Sequence, residues 1–451
     1  MAVSFPLTID ALRSSYESRE RTPADVIESI LLRIEQRGDD AVWIHRLTRE
    51  QLLEHAQQIE MWKAAGKYLP LYGIPFAIKD NIDLGGHPTT AACPAYAYTP
   101  KQSATAVTKL LEAGAIPIGK TNLDQFATGL VGVRSPYGAP RCVFDDRYIS
   151  GGSSSGSGVA VAANLVSFAL GTDTAGSGRV PAAFNNIVGL KPTRGRISAV
   201  GVVPACRSLD CISIFAGNTA DARLVLGITE GEDSADSWSR AVPTYGDFPF
   251  SADFRFGVPK DDQLEFFGDT AASDLYASAL IALQKMGGLP VEIDFAPFQE
   301  TAQLLYGGAW VAERRVAIGS FYETNADDMD PVVRKIVAGA DKFTAIDAFK
   351  GSYRLQELRA QVLPIWQSID VLALPTTGTI YTVEEIRNEP IALNSNLGRY
   401  TNFMNLLDLA GLALPAGFRP NGLPFGITLA APAFSDGALA ALGERWEALK
   451  K

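Results

Sequence analysis

The chain has 451 residues, of which 47% are apolar and 20% are charged, a balance typical of globular proteins and not of disordered chains or coiled coils. Its 40 Lys and Arg against 50 Asp and Glu give a formal charge of −10, which argues against a general nucleic-acid or membrane-surface binder. The N-terminus lacks the layout of a signal peptide and no apolar run reaches membrane-spanning length. We therefore expect a cytoplasmic protein that binds neither nucleic acid nor membranes.

Histidine is scarce, which restricts the chemistry that the chain can perform. The three histidines are His45, His55 and His87, so any histidine-dependent triad or zinc site must draw on them. The four cysteines include no Cys-x-x-Cys pair. We expect no metal site, no cofactor and no disulfide framework, and we interpret the cysteines as small buried side chains in a reducing compartment.

Residues 1–65 carry the signals of packing helices. Thr22 followed by Pro23 is typical of a helix start, since proline is tolerated at the first helical position. Thr48 with Gln51 three residues later predicts a capping box for the next helix.

From residue 71 onward, short apolar runs alternate with helical patterns. Strands are predicted over 74–78, 116–118, 166–170, 291–295, 371–374 and 425–429, and helices near 104–113, 123–128, 271–286, 302–318 and 438–449. This alternation predicts an α/β fold with a large, mostly parallel or mixed central sheet covered by helices on both faces. No long linker divides the chain, so we expect one domain over residues 1–451.

Residues 114–121 match the phosphate-binding pattern G-x-x-x-x-G-K-[ST]. Such a loop needs a strand before it and a helix after it, with free backbone N–H groups. Here a predicted helix precedes the match, and the intervening residues are a predicted strand that contains Pro117, which has no N–H. A nucleotide-binding regulatory protein therefore stays an alternative, to be tested by ATP binding and its loss in Lys120→Ala.

Two serine-rich loops lead directly into apolar elements. GGSSSGSG (151–158) precedes an apolar run, and GTDTAGSGR (171–179) follows the predicted strand 166–170. A serine nucleophile needs a base, and with no histidine nearby a desolvated lysine is the candidate. Lys79, at the end of the predicted strand 74–78, fits this role, although a lysine at a strand end is commonly only a solvated charge.

Five motifs resemble the amidase-signature family of serine amidases, over a core of about residues 73–216. They are GIPFAIKDN (73–81), GAIPIGKTN (114–122), GGSS (151–154), GTDTAGS (171–177) and NIVGLKPTRG (186–195). The resemblance implies the amidase-signature fold and a triad in which Lys79 is the base, Ser153, after a cis peptide, is the bridging serine, and Ser177 is the nucleophile. It assigns the oxyanion hole to the backbone N–H groups of Thr174, Ala175, Gly176 and Ser177. Ser155 and Ala175 stand where the family often has glycine.

Further segments look like the allophanate-hydrolase branch of that family. They are TTAACPA (89–95), DQFATGLVGVRSPY (124–137), PAAFNN (181–186), PACRSLDCIS (204–213) and YGGAWVAER (306–314). This branch implies hydrolysis of the terminal amide of allophanate, a small anionic substrate, in urea and nitrogen catabolism. It assigns substrate binding to Tyr306 and Arg314, eight residues apart on the predicted helix 302–318, and Gly129 is a further candidate contact. Without the resemblance, the favoured interpretation of Arg314 is a surface residue paired with Glu313 or another acid, since ion pairs on helix surfaces are common.

The resemblance also implies a homodimer and a second domain that often follows the amidase domain and processes the product, N-carboxycarbamate. We expect that domain to be separate or missing here. Two alternatives stay open: an amidase for a neutral amide, and the amidase subunit of a tRNA-dependent amidotransferase.

Overall fold

The computed structural model describes residues 5–243 and 249–449. Its centre is an 11-stranded sheet, accompanied by a separate two-stranded hairpin of β4 and β5. The strands are β1 (Trp43–Arg46), β2 (Pro75–Lys79), β3 (Ile116–Thr121), β4 (Arg141–Cys142), β5 (Asp145–Ile149), β6 (Phe168–Asp173), β7 (Val188–Lys191), β8 (Cys211–Ala216), β9 (Arg255–Pro259), β10 (Leu289–Ile293), β11 (Val371–Pro375), β12 (Leu409–Phe418) and β13 (Pro424–Pro432).

Helices surround this sheet. They are α1 (Ile9–Glu17), α2 (Pro23–Arg37), α3 (Arg49–Ala64), α4 (Thr105–Glu112), α5 (Ser155–Ala162), α6 (Val180–Phe184), α7 (Thr219–Thr229), α8 (Thr270–Lys285), α9 (Ala296–Gly307), α10 (Trp310–Ile318), α11 (Ser320–Asn325), α12 (Pro331–Ala338), α13 (Ala345–Ser368), α14 (Val383–Asn388), α15 (Ala392–Leu397) and α16 (Asp436–Ala448). Short 3₁₀ helices lie at Pro94–Tyr96, Gln125–Ala127, Asp261–Gln263, Ala326–Asp328 and Gly339–Lys342.

The strand order is β1-β3-β2-β6-β8-β7-β12-β13-β11-β9-β10. Strand β2 runs parallel to β3 and to β6, and β9 runs parallel to β10 and to β11. The central strands β6, β8, β7, β12, β13 and β11 pair antiparallel. The predicted mixed sheet is therefore confirmed. Because β2 and β6 are parallel neighbours, the residues at their carboxyl ends lie at the same edge of the sheet.

Both faces of the sheet are covered, as predicted. Successive residues of a strand point to opposite faces. On β12, Leu412 packs against α16, where a Cβ added to Gly443 would lie 2.6 Å from the Leu412 side chain. A Cβ added to the preceding Gly411 would instead lie 2.6 Å from Met404 and 3.5 Å from Arg179, just ahead of α6.

The N-terminal helices pack on this body. Thr22 and Thr48 both form the capping boxes that the sequence predicts. The hydroxyl of Tyr16, on α1, donates to the carbonyl of Gly73 at 2.8 Å and so joins this segment to the chain that enters β2.

Most predicted elements are present with ends displaced by at most three residues. Two predictions are wrong. The predicted helix 302–318 is divided into α9 and α10, because Gly308 is extended, with φ −119° and ψ −174°. The predicted helix 123–128 is only a 3₁₀ turn, in which Phe126 has φ 50°. The chain folds back there because the carboxylate of Asp124 accepts the backbone N–H groups of Val131, Gly132 and Arg134.

All four cysteines are buried and unpaired by disulfides, as the sequence indicates. Within residues 5–243 and 249–449, no helix combines the length and the apolar character needed to cross a membrane.

Candidate active site

Lys79 is the last residue of β2 and is completely buried. Its Nζ lies 2.8 Å from Ser153 Oγ and 2.7 Å from Thr172 Oγ1. Burial lowers the pKa of Lys79 from its usual 10.5 to about 7, although the charges of Asp124, Asp210 and Asp173 act in the opposite direction. A lysine with this pKa is neutral in a large fraction of molecules near neutral pH and can therefore accept a proton.

Ser153 lies in the loop that leads into α5, and it is fully buried. The peptide bond between Gly152 and Ser153 is cis, as the resemblance implied. Asp124 packs tightly under this turn: a Cβ added to Gly152 would lie 2.2 Å from its Oδ2. The same carboxylate organises the loop 124–134, so one buried acid positions both the serine turn and the loop beside it.

Ser177 lies in the turn between β6 and α6, and an ion pair holds this turn. Arg179 Nε and Nη2 donate to the carboxylate of Asp173 at 2.9 and 3.0 Å, and both side chains are fully buried. Burial alone would raise the pKa of Asp173, but the charge and hydrogen bonds of Arg179, the charge of Lys191 and the Gly178 N–H together keep this pKa below its usual value. Asp173 also accepts the N–H groups of Gly176 and Gly178 at 2.9 and 3.0 Å. The carboxylate thus binds the backbone on both sides of Ser177.

The oxyanion-hole assignment needs one refinement. Because the Gly176 N–H donates to Asp173, it is already used within the protein, which leaves the N–H groups of Thr174, Ala175 and Ser177 as candidates. Gly176 still has to be glycine, since its φ is +138° and an added Cβ would lie 2.5 Å from Thr401 Oγ1.

Asp210 lies behind this segment and anchors Thr174. Its carboxylate accepts the Thr174 hydroxyl and the N–H groups of Ala205 and Cys206, the last two at 2.8 and 3.1 Å. Burial raises the pKa of Asp210 to about 6.

The structure brings the three predicted triad residues to one edge of the sheet but does not link them all. Ser177 Oγ donates to the carbonyl of Gly129 at 3.4 Å. Among the residues that the structure describes, no hydrogen bond joins Ser153 Oγ to Ser177 Oγ. Gly129 has φ +152°, and a Cβ there would lie 2.6 Å from Asp124 Oδ2, so this position also requires glycine.

Tyr306 and Arg314 meet although they lie on two helices, α9 and α10. Arg314 Nη2 donates to the Tyr306 hydroxyl at 3.0 Å, and its Nη1 donates to Thr128 Oγ1 at 3.0 Å. Arg314 is not the surface residue of the alternative interpretation: its side chain is 1% exposed. Glu313 instead accepts the N–H and the hydroxyl of Ser208 at 2.6 and 2.7 Å.

No carboxylate among the described residues pairs directly with Arg314, although the charges of Asp210 and Glu313 lie close enough to favour its charged form. Its Nε is buried without a hydrogen-bond partner among those residues. A buried charge without a directly paired opposite charge is costly, which makes Arg314 a candidate for binding an anion.

The nucleotide-binding alternative for 114–121 fails on the geometry. Residues 116–121 are strand β3, which is buried between β1 and β2. Lys120 Nζ is fully buried and pairs with Asp80 at 3.0 Å, with a further hydrogen bond to Thr89 Oγ1 at 3.0 Å. Neither the backbone nor the lysine is available to a phosphate.

Sequence reasoning missed several residues that shape this site. They are Asp124, Thr128, Thr172, Asp173 and Asp210. All five lie within the segments that resemble the family. Their polar character inside those segments was the signal that could have identified them. Their partners come from distant parts of the chain, however, and a spacing pattern does not reveal such contacts.

Comparison with known proteins places the chain among amidases. A family model described as Amidase matches residues 25–440. The urea amidolyase of Lachancea kluyveri is 49% identical over 411 residues, which are 90% of this chain but 22% of that protein. The chain thus spans about a fifth of that relative's length. One component of the glutamyl-tRNA(Gln) amidotransferase of Synechococcus elongatus is 34% identical over 455 residues, 94% of this chain and 93% of that component.

A solved structure gives the same result. The allophanate hydrolase of Kluyveromyces lactis superposes with a TM-score of 0.93 at 45% identity, covering 97% of this chain and 72% of that one. Because the family model spans most of the residues, including both serine loops and the strand that ends at Lys79, the chain belongs to the amidase family.

Proposed function

We propose that this chain is an amidohydrolase that removes the terminal amide of allophanate, releasing ammonia and N-carboxycarbamate, with Lys79, Ser153 and Ser177 as its catalytic residues. The proposal is supported by the likeness to allophanate hydrolase and urea amidolyase and by the contacts around Lys79. We further propose that residues 1–451 act as one catalytic unit.

In the first step, neutral Lys79 takes a proton from Ser153 while Ser153 takes the proton of Ser177. The Ser177 Oγ then attacks the amide carbonyl carbon, and the oxyanion that forms accepts the free N–H groups of the 174–177 segment. For this relay, the Ser177 hydroxyl has to turn from the Gly129 carbonyl toward Ser153.

In the second step, the carbon–nitrogen bond breaks and ammonia leaves with a proton returned from Lys79 through Ser153. The acyl group stays on Ser177 Oγ. Water, deprotonated by the same relay, attacks this ester and frees N-carboxycarbamate, which restores the Ser177 hydroxyl. Lys79 returns to its neutral form at the end of each half-reaction.

The observation that carries the choice of substrate is the buried guanidinium of Arg314. Its hydrogen-bond partners, Thr128 and Tyr306, are neutral, so a substrate carboxylate would be the one anion in direct hydrogen-bond contact with it among the groups described. The planar guanidinium can donate two parallel hydrogen bonds to that carboxylate. Thr128, which contacts Arg314, directly precedes Gly129, whose carbonyl accepts the Ser177 hydroxyl, so two neighbouring residues connect the proposed anion site with the nucleophile.

The test is ammonia release from allophanate, malonamate, biuret and a simple neutral amide, with the wild type, Ser177→Ala and Arg314→Ala. We expect turnover of the two anionic amides, none with Ser177→Ala, and a strong loss with Arg314→Ala that is confined to the anionic amides. Turnover of neutral amides alone would contradict the substrate assignment. Activity that survives Ser177→Ala would contradict the triad.

A second candidate is the amidase component of a tRNA-dependent amidotransferase. It is favoured by the 34% identity to such a component over 93% of its length. Glutamine hydrolysis by the purified chain, in preference to allophanate, would select this function.

A further inference from the structure

A cavity of about 530 Å³ opens beside the candidate active site. This is within the range of roughly 300–1,000 Å³ usual for small-molecule pockets. One wall is the end of α9, with Tyr306 and Gly307, and the other wall is formed by Gly398, Arg399 and Asn402. The function of this cavity is not explained by the triad or by Arg314.

Residues in or beside both walls contact groups of the candidate active site. The Tyr306 hydroxyl accepts a hydrogen bond from Arg314. On the opposite wall, Thr401 lies between two residues that line the cavity, and its Oγ1 is 2.5 Å from the position of a Cβ on Gly176. The cavity is therefore lined by Tyr306, which contacts Arg314, and by the chain neighbours of Thr401, which packs against the nucleophile turn.

Arg399 gives the cavity its charge. Among the described residues that line it, Arg399 is the one charged side chain, and the rest are apolar, small or amide groups such as Gln299 and Gln303. Its Nη2 donates to the carbonyl of Gln263 at 2.9 Å, which holds the guanidinium in place. No described Asp or Glu forms an ion pair with it, and its Nε is buried without a partner.

The cavity also contains an unused acceptor. Asn402 Oδ1 is buried without a hydrogen-bond partner among the residues that the structure describes. A ligand that satisfies both groups must present an anionic end to Arg399 and an N–H to Asn402. An amide that also carries a carboxylate has both.

On the basis of the proposed function, we infer that this cavity is the entrance for anionic amides and that Arg399 is a second, outer cation that attracts the substrate carboxylate before Arg314 binds it. The chain as a whole carries a charge of −10 and would repel such a substrate. A charged residue in a cleft with low-dielectric walls raises the local concentration of an oppositely charged ligand. Arg399 is thus a specificity-determining residue that acts on capture of the substrate and not on the chemical step.

The experiment compares Arg399→Gln, Arg399→Lys and the wild type, with malonamate and its neutral counterpart malonamide, at low and high salt. Arg223→Gln is the matched control, since it removes one positive charge from the exposed surface of α7. For Arg399→Gln we expect kcat/KM with malonamate to fall about tenfold, at the lower end of such electrostatic effects. We expect kcat, and both constants with malonamide, to stay within about twofold of the wild type. Arg399→Lys should recover most of the loss.

Salt provides a readout that a structural role would not change. The wild-type kcat/KM for malonamate should decrease as salt screens the charge, and Arg399→Gln should flatten this dependence. The inference is overturned if Arg399→Gln has the same kcat/KM for malonamate as Arg223→Gln. It is also overturned if Arg399→Gln lowers kcat/KM equally for malonamate and malonamide. The proposed function itself fails if the wild type does not prefer malonamate and Arg314→Ala leaves kcat/KM unchanged for both substrates. That result is distinct from one in which only Arg399→Gln has no effect.

Discussion

The guanidinium of Arg314 and the hydroxyl of Thr128 are joined by a hydrogen bond of 3.0 Å, and the residue after Thr128 accepts the hydroxyl of Ser177. Two consecutive residues of one loop therefore contact the candidate anion site and the candidate nucleophile. The loop keeps this shape because Arg134 Nη1 donates to the Thr128 carbonyl at 2.9 Å and Asp124 binds the backbone beyond it. Under the proposed function, this loop sets the distance between the bound carboxylate and the amide that Ser177 attacks.

Thr128→Val should weaken binding of anionic amides. Valine keeps the shape of threonine but removes the oxygen that accepts a hydrogen bond from Arg314. A buried donor left without a partner costs about 1–3 kcal/mol in free energy, so Arg314 is held less firmly in its position. We expect KM for malonamate to rise by about fivefold or more, and Thr128→Ser, which retains the hydroxyl, to resemble the wild type. Steady-state kinetics of ammonia release measures this, and an unchanged KM in Thr128→Val would contradict the role of the contact.

Activity should decrease on the acid side of neutrality. Only neutral Lys79 can accept the proton of Ser153, and burial lowers the pKa of Lys79 to about 7. The active form is therefore present above that pH and is lost as the pH falls below it, by about a factor of ten per pH unit. A pH profile of kcat/KM from 5 to 9 tests this, and a flat profile down to pH 5 would exclude Lys79 as the base.

Asp210→Asn should shift that acid limb. The carboxylate of Asp210 favours the charged form of Lys79, so its removal lowers the pKa of Lys79 further and moves the limb to lower pH. Asparagine keeps an oxygen that can accept the Thr174 hydroxyl. Since the pKa of Asp210 itself is raised to about 6, a limb that disappears in the variant instead of moving would assign the titration to Asp210.

Gly176→Ala should abolish most of the activity. The added Cβ would lie 2.5 Å from Thr401 Oγ1 at a φ of +138°, so the turn that carries Ser177 must move. Loss of one oxyanion donor alone costs about 10²–10³ in rate. Gly217→Ala is the matched control, because nothing lies within 4 Å of its Cβ position. Equal activity of the two variants would contradict the assigned role of the 174–177 segment.

Ser153→Ala should reduce kcat strongly while the protein remains folded. The change removes the hydroxyl that lies 2.8 Å from Lys79 Nζ and interrupts the proposed proton relay. The alanine Cβ remains in the same position, so circular dichroism and thermal unfolding should stay close to the wild type. Retention of wild-type kcat would show that Lys79 does not act through Ser153.

The sequence alone determined the alternation of strands and helices and the capping boxes at Thr22 and Thr48, and its resemblance to amidase-signature motifs supplied the candidate triad. These features are local, because apolar periodicity, caps and short motifs depend on neighbouring residues. The scarcity of histidine directed attention to Lys79, and the position of Lys79 at the end of β2 agrees with its apolar run to within one residue.

Other features were decided only by tertiary structure. The predicted helix 302–318 breaks at Gly308, yet Tyr306 and Arg314 still meet, because helices α9 and α10 are brought together by packing and not by a shared helical face. The segment 123–128 is a loop because Asp124 binds amides that follow it in the chain. Whether Arg314 is a surface ion pair or a buried anion site depends on burial and on charges far away in sequence. No local pattern encodes those two quantities, since they exist only once the chain has folded.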